Sequence, residues 1–253
     1  LTLAYFLLSE LLSALFDRLG IKNVLVTAAD VVLKLLIGVT AIVTARRLFA
    51  SKSPKFSLKR TLSGIFVCGA PAWAYIALNG YASSGKTDIS YSPMRTAYII
   101  AVYALYCLTI GLVEEALNRR LILGSLASVT AKDTALVISA VVFSLSHCIN
   151  FITTPDRVFA TFAQLIYAFI AGMFFGAVYL RSGSLAAVTV LHAVFNFVSL
   201  VWMPFSSEAS LKQATDIEPA AILSYVQVYL PLLFAALFLM RKSKAYEIDE
   251  LWQ

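Results

Sequence analysis

Residues 157–180, RVFATFAQLIYAFIAGMFFGAVYL, decide the fold, because no charged side chain follows Arg157 in this run. A helix needs about 20 apolar residues to cross the roughly 30 Å of hydrocarbon in a bilayer. The run is continuously apolar rather than alternating, which favours a helix over a strand of a membrane barrel. We therefore predict a transmembrane helix at these positions.

The rest of the chain repeats this pattern. Of its 253 residues, 60% are hydrophobic and 13% are charged, whereas soluble domains carry about 25% charged residues. We predict an all-α fold, a polytopic transmembrane helical bundle with about eight spans, forming a single membrane domain over residues 1–253. The predicted spans are 1–17, 23–45, 61–81, 94–118, 134–153, 157–180, 184–203 and 219–240. Charges interrupt the first of them, so an amphipathic helix at the membrane surface is the alternative there.

The positive charge sits in short loops rather than on one soluble face. The net charge is +6, and the densest basic connection is 46–60. By the positive-inside rule this loop faces the cytoplasm, and with eight spans both termini are then cytoplasmic. We expect an integral protein of a prokaryotic cell inner membrane, with membrane lipid and no nucleic acid among its partners.

Two carboxylates end the fourth predicted span. Glu114 and Glu115 are adjacent, and Arg119 follows Glu115 by four residues, so the latter two share a helix face and can form an ion pair. Glu114 points about 100° away and is predicted to stay free. The alternative interpretation is a helix that simply emerges into water, where charges cost little.

The chain has two histidines, and both lie inside apolar spans. Buried histidines more often serve packing than chemistry. Here, however, His192 and Asn196 are four residues apart and share one helix face, and His147 lies in a neighbouring span. Together with a free carboxylate, this set favours a functional site.

These residues form three motifs that resemble those of a known family. Glu114-Glu115-xxx-Arg119, Phe143-xxx-His147 and His192-xxx-Asn196 are similar, in order, to the EExxxR, FxxxH and HxxxN motifs of CAAX-processing and bacteriocin-processing (CPBP, or Abi) intramembrane proteases. The stretch 172–187 also resembles the family's segment before the last motif. The resemblance covers about 111–200, within a family core of about 94–203. Asn118 and Arg120 depart from the residues common in the family, which bears on substrate preference.

The resemblance implies an intramembrane endopeptidase that cleaves near the cytoplasmic membrane face without a required cofactor. Glu114 and His147 would activate water, and His192 and Asn196 would stabilise the oxyanion. Glu115, Arg119 and Phe143 would support them. The substrate would be a peptide or protein, prenylated or bacteriocin-like, and we favour peptide processing because most prokaryotes lack CAAX prenylation.

Three alternatives remain open from the sequence. Glu114, His147 and His192 could instead form a two-His, one-carboxylate zinc site, although no HExxH pair is present. The chain could also be a catalytically idle scaffold of the same fold. A proton-coupled or cation-coupled transporter is the third alternative, but we find no internal repeat of the kind that many transporters show.

Overall fold

The computed structural model describes residues 24–49, 55–84, 87–215 and 217–241, and the described chain is helical throughout, with no strand. The all-α prediction is confirmed for these residues. The first predicted span, 1–17, lies outside the described residues.

The helices follow one another with short connections. Their bounds are α1 Val24–Phe49, α2 Leu58–Ser63, α3 Ala70–Ser84, α4 Pro93–Glu115, α5 Gly124–Leu126, α6 Lys132–Ser146, α7 Asn150–Thr153, α8 Val158–Ser182, α9 Leu185–Leu200, α10 Glu208–Thr215 and α11 Ile222–Leu239. Two wider, π-helical segments continue the chain between helices: Gly64–Cys68 joins α2 to the bend before α3, and Ala116–Leu123 joins α4 to α5. Short 3₁₀ turns lie at His147–Ile149, Pro155–Arg157, Met203–Phe205 and Pro219–Ala221.

The number of membrane spans differs from the prediction. In the described residues, 5 helical segments are long and apolar enough to cross a membrane, or up to 6 if one bent pair counts as a span. The five are Pro93–Leu126, Lys132–Thr153, Pro155–Ser182, Leu185–Phe205 and Ile222–Leu239. Within α1, only the shorter stretch Val31–Ala45 qualifies as an apolar helix. The count of about eight is therefore not confirmed.

The bent pair accounts for part of that difference. The sequence predicts one span over 61–81, but Leu58–Cys68 and Ala70–Ala82 meet at 55°. Pro71 lacks an amide hydrogen, so the helical hydrogen-bond ladder is interrupted just after Gly69. A Cβ at Gly69 would come 2.7 Å from the Leu191 side chain. Because glycine has no Cβ, α9 can pack closely against the bend.

Helix α8 lies at the centre of the bundle. Almost every residue from Ala168 to Leu180 is buried, against α6 on one side and α11 on another. Many large apolar side chains of α1 and α11 are instead exposed, as expected for surfaces that contact lipid tails. The exposed set includes Leu36, Val39, Phe234, Leu237 and Phe238.

Glycines set the distance between the helices that carry the motifs. A Cβ at Gly172 of α8 would lie 3.1 Å from the Ala140 Cα of α6. Gly176 lies one turn further along α8, and a Cβ there would overlap the Leu136 side chain, so both glycines allow α6 to approach α8 closely. On the other side of the site, a Cβ at Gly111 of α4 would lie 2.9 Å from the Thr189 carbonyl oxygen of α9.

Candidate active site

Two buried carboxylates end helix α4. Glu114 is 6% exposed and Glu115 is 0% exposed, although the sequence alone allowed both to emerge into water. The chain does not leave the bundle after them but continues as the π-helical segment Ala116–Leu123. The interpretation of a helix end in water is therefore wrong. Charged groups at such depth are costly, so each needs a partner.

Arg119 neutralises the second carboxylate. Its Nε lies 3.0 Å from Oε2 of Glu115, as the four-residue spacing predicts. The two atoms are close but poorly aligned for a hydrogen bond, so the contact is an ion pair. The guanidinium also donates to the Gly172 carbonyl oxygen at 3.5 Å and lies 4.9 Å from the centre of the Phe143 ring. Arg119 therefore ties α4, α6 and α8 together at one point.

His192 lies between the two carboxylates. Its Nδ1 is 2.8 Å from Oε1 of Glu115, and its Nε2 is 3.6 Å from Oε2 of Glu114. A carboxylate only accepts hydrogen bonds, so Nδ1 carries a hydrogen and donates it to Glu115. The expectation that Glu114 stands free needs correction, because the imidazole of His192 faces it. That separation is longer than a hydrogen bond, so Nε2 stays available to a third group.

The close packing at Gly111 explains how these residues meet. Glu115 lies one turn after Gly111 on α4. On α9, His192 lies one turn after Thr189 and directly before Ala193. Both side chains are therefore next to the contact between the two helices. A Cβ at position 111 would also come 3.1 Å from the Ala193 nitrogen. The absence of a side chain there lets α4 and α9 approach until the carboxylate and the imidazole touch.

Phe143 connects His147 to the cluster. The Phe143 ring stands edge-on to both imidazoles, with centroids 5.2 Å from His147 and 6.0 Å from His192. His147 lies where α6 changes to a 3₁₀ turn, and its Nδ1 is 3.0 Å from the Phe143 carbonyl oxygen. Because that oxygen only accepts, Nδ1 is the protonated nitrogen, and the lone pair of the neutral ring is on Nε2.

Asn196 lies one turn beyond His192 on α9 and is half-buried. The shared helix face predicted for His192 and Asn196 follows from their places on one continuous helix. The structure therefore brings Glu114, Glu115, Arg119 and His192 into direct contact, and Phe143 places His147 beside them. Asn196 extends the same face by one turn.

Three contributors to the site were not predicted from the sequence. Phe175 stacks flat on His192, with centroids 5.1 Å apart and planes 18° from parallel. Asn118 is fully buried, and its Nδ2 donates to the backbone oxygen of Glu114 at 2.8 Å. Gly111 is the third, through the packing described above. Phe175 lies inside the stretch that resembles the family, so its sequence position was a usable signal, whereas Asn118 appeared only as a departure.

The same residues include the donor set of the zinc alternative. In the described part of the chain, no group of three or more His, Cys, Asp and Glu side chains is arranged to hold a metal ion. His192 directs its nitrogens at the two glutamates rather than at a common point with His147. The donor set of the zinc alternative, Glu114, His147 and His192, does not fit this geometry in the described residues.

Comparisons with known proteins agree with the motifs. Residues 96–198 match the family model described as type II CAAX prenyl endopeptidase Rce1-like. This segment holds all of the motif residues, so the resemblance is confirmed over it, consistent with a CPBP family intramembrane protease. The match implies a peptidase, and together with the apolar helices it supports an integral membrane protein. No curated protein and no solved structure gives a significant match to the chain.

Proposed function

We propose that this chain hydrolyses a peptide bond inside the membrane, with Glu114 as the general base and no metal required. The observation that carries the proposal is the position of His192, between two buried carboxylates and within reach of both. Buried ionisable groups at membrane depth mark functional sites unless pairing alone explains them. The Glu115–Arg119 pair is neutral by itself, so it does not require a second carboxylate and an imidazole buried beside it.

Water activation is the first step of the proposed reaction. Glu114 accepts a proton from a water molecule, whose oxygen attacks the scissile carbonyl carbon. His147 helps to hold that water through Nε2, because its Nδ1 already donates to the Phe143 carbonyl oxygen. The proton on Glu114 is then delivered to the leaving amine, so the carboxylate is restored at the end of the cycle.

The oxyanion of the tetrahedral intermediate is stabilised by His192 and Asn196. Protonated His192 donates through Nε2, and Glu115 on Nδ1 stabilises the positive ring, as a buried carboxylate does in other hydrolases. Phe175, stacked on the ring, keeps the imidazole plane fixed.

The proposed substrate is a peptide or a protein whose cleavable segment enters the membrane. The name of the matching family refers to prenylated CAAX proteins. A prenyl chain would suit a site surrounded by lipid, and bacteriocin-like or signalling peptides are the other substrate class. We favour peptide processing in a prokaryotic inner membrane, with both termini cytoplasmic, and we propose that the cut lies near the cytoplasmic face.

Purified protein in detergent tests the proposal. The wild type and Glu114→Gln are assayed against a panel that contains a farnesylated CAAX peptide, its unprenylated copy and apolar internally quenched peptides. We expect the wild type to cleave at least one member and Glu114→Gln to cleave none above background. Failure of the wild type on the whole panel, with folded protein, would favour the idle scaffold. Equal cleavage by both proteins would remove Glu114 from the mechanism.

A further inference from the structure

Two amide side chains meet between α7 and α8, one turn away from the site. Asn150, at the start of α7, donates through Nδ2 to Oε1 of Gln164 on α8, at 2.7 Å. Both residues belong to segments that are long and apolar enough to span a membrane. Amide groups in hydrocarbon cost free energy unless their hydrogen bonds are satisfied, so this amide pair needs a reason.

The amide pair points away from lipid. Ile152 and Phe162 are exposed, large and apolar, which places them on the lipid side of their helices. Asn150 and Gln164 each lie two residues from one of them, which on a helix is a rotation of about 200°. Both amides are nevertheless half-exposed rather than buried. The two amides are therefore only partly covered by the side chains around them.

The pair keeps hydrogen-bonding capacity on that inner side. The bond between the two side chains uses one amide hydrogen of Asn150 and Oε1 of Gln164. Oδ1 of Asn150 remains as an acceptor and Nε2 of Gln164 as a donor, and neither has another partner among the described residues. One acceptor beside one donor is the complement of a single peptide group.

The pair also lies in line with the catalytic residues. Asn150 follows His147 by three residues across a 3₁₀ turn, in which such residues share a face. The carbonyl oxygen of Gly172 accepts a hydrogen bond from Arg119. On α8, Gln164 lies eight residues before Gly172, which is about 12 Å of helix. An extended peptide covers that distance in about three to four residues.

We propose that Asn150 and Gln164 together bind the main chain of the substrate three to four residues from the cleaved bond. Gln164 Nε2 donates to a substrate carbonyl oxygen, and Asn150 Oδ1 accepts from a substrate amide hydrogen. These hydrogen bonds recognise the main chain of the substrate rather than its side chains, so substrates of many different sequences are positioned equally well. This inference rests on the proposed peptidase function.

Gln164→Glu is the decisive variant. The ionised carboxylate still accepts the hydrogen bond from Asn150, so the joint between α7 and α8 is kept, but it has no donor for the substrate; the assay is therefore run at alkaline pH. For one cleavable, internally quenched peptide, we expect KM to rise about three- to tenfold with kcat little changed. The thermal midpoint should stay at the wild-type value. Ser144→Ala is the matched control, because it removes a bond between α6 and α8, to the Leu165 carbonyl oxygen, without facing the substrate.

The substrate supplies the second half of the test. Copies of the same peptide are made in which one amide at a time is replaced by an ester, which removes the amide hydrogen and weakens the carbonyl acceptor. We expect one position, three to four residues from the cut, where the ester raises the KM of the wild type but adds little to that of Asn150→Ala, because Oδ1 of Asn150 is the proposed acceptor of the amide hydrogen that the ester lacks. Equal penalties in both proteins at every position would overturn the proposal.

The two levels of failure are distinguishable. A wild type that cleaves no peptide overturns the peptidase proposal and this inference with it. A wild type that cleaves normally, with Gln164→Glu unchanged in KM, overturns the inference alone. A lowered thermal midpoint in Gln164→Glu with unchanged KM would reduce the amide pair to a structural joint, and so would also overturn it.

Discussion

Oε1 of Glu115 lies 2.8 Å from Nδ1 of His192, although 77 residues of chain separate them. This contact decides which nitrogen of the ring holds a hydrogen, and therefore which nitrogen faces Glu114. Glu115 thus belongs to two pairs at once, since its other oxygen faces Arg119. The second carboxylate of the motif orients the imidazole as well as neutralising the helix end.

Arg119→Ala should lower stability strongly, because it leaves the Glu115 charge buried without its cation. Breaking a buried ion pair typically costs about 3–5 kcal/mol. The matched variant Glu115→Gln/Arg119→Met removes both charges and should recover much of the stability while remaining inactive. Thermal unfolding of the purified proteins in one detergent measures this. Normal folding of Arg119→Ala with total loss of turnover would point to a direct contact between Arg119 and substrate.

Asn196→Ala should keep a small, measurable activity. Loss of one donor to an oxyanion typically lowers the rate by about 10²–10³. Glu114→Gln removes the proton acceptor at nearly constant shape and should fall further, to the assay floor. Single-turnover cleavage of one peptide compares them. The assigned roles would be refuted by an Asn196→Ala protein as inactive as Glu114→Gln.

Metal removal should leave the activity unchanged. The two ring nitrogens of His192 face Glu114 and Glu115 rather than a shared metal ion. We therefore expect full turnover after dialysis of the protein against a strong chelator. Metal analysis of the untreated protein, beside the assay, provides the check. Stoichiometric zinc, with activity lost on its removal and regained on its return, would transfer Glu114, His147 and His192 to ligand roles.

Gly111→Ala should disrupt the site without touching a catalytic residue. The added methyl group would lie 2.9 Å from the Thr189 carbonyl oxygen, so α4 and α9 must move apart. Overpacking of this kind costs about 1–3 kcal/mol, and turnover should fall with it. Gly80→Ala is the control, since a Cβ there meets nothing within 4 Å. Unfolding midpoints and kcat of both variants should therefore diverge.

Asp88 should make the connection before α4 sensitive to acid. Hydrogen bonds from Ser207, and then from Ser210, hold the pKa of this exposed carboxyl below its ordinary value. A lowered pKa means that the ionised form stabilises the folded state above the ordinary Asp pKa of about 3.9, and that this stability is lost as pH falls through the folded value. The protection of α10 against hydrogen exchange, measured relative to the intrinsic rate at each pH, should therefore fall only in acid.

The Asp88→Asn variant gives the control for that prediction. It should show fast exchange in α10 already at neutral pH, and lose the acid-dependent step. Asp133→Asn, at another exposed carboxyl, should leave α10 unchanged. An acid-dependent step that persists in Asp88→Asn would assign it to a different group.

The motifs predicted which residues form the site better than they predicted which of its side chains contact one another. Glu114, Glu115, Arg119 and His192 meet as a set, because side chains that cost so much in lipid must find one another. The sequence could not show that His192 would enter between the two carboxylates. That arrangement depends on how closely α4 and α9 pack, which Gly111 decides through a contact between distant positions.

Hydropathy located the helices but not their number across the membrane. Predicted spans such as 134–153 and 157–180 differ from the observed segments Lys132–Thr153 and Pro155–Ser182 by at most two residues at either end. The segment 61–81 is apolar enough for one span, yet the bend at Gly69 divides it, since composition does not register a broken hydrogen-bond ladder. The amide pair also escaped notice, because an uncharged Asn or Gln barely changes the hydropathy of its span.

The ion pair between Glu115, at the end of α4, and Arg119, in the π-helical segment that continues it, has a consequence for biogenesis. Glu115 and Arg119 come from one helix, so their charges cancel as soon as that turn has formed. His192 is made 77 residues later, about 4–15 s at ordinary rates of synthesis. During that interval α4 has left the ribosome without its eventual partner on α9. Because the Glu115–Arg119 charges cancel within this turn, the nascent helix can stay in the bilayer before α9 is made. Glu114 is the charge in this turn whose partner, His192, is synthesised later.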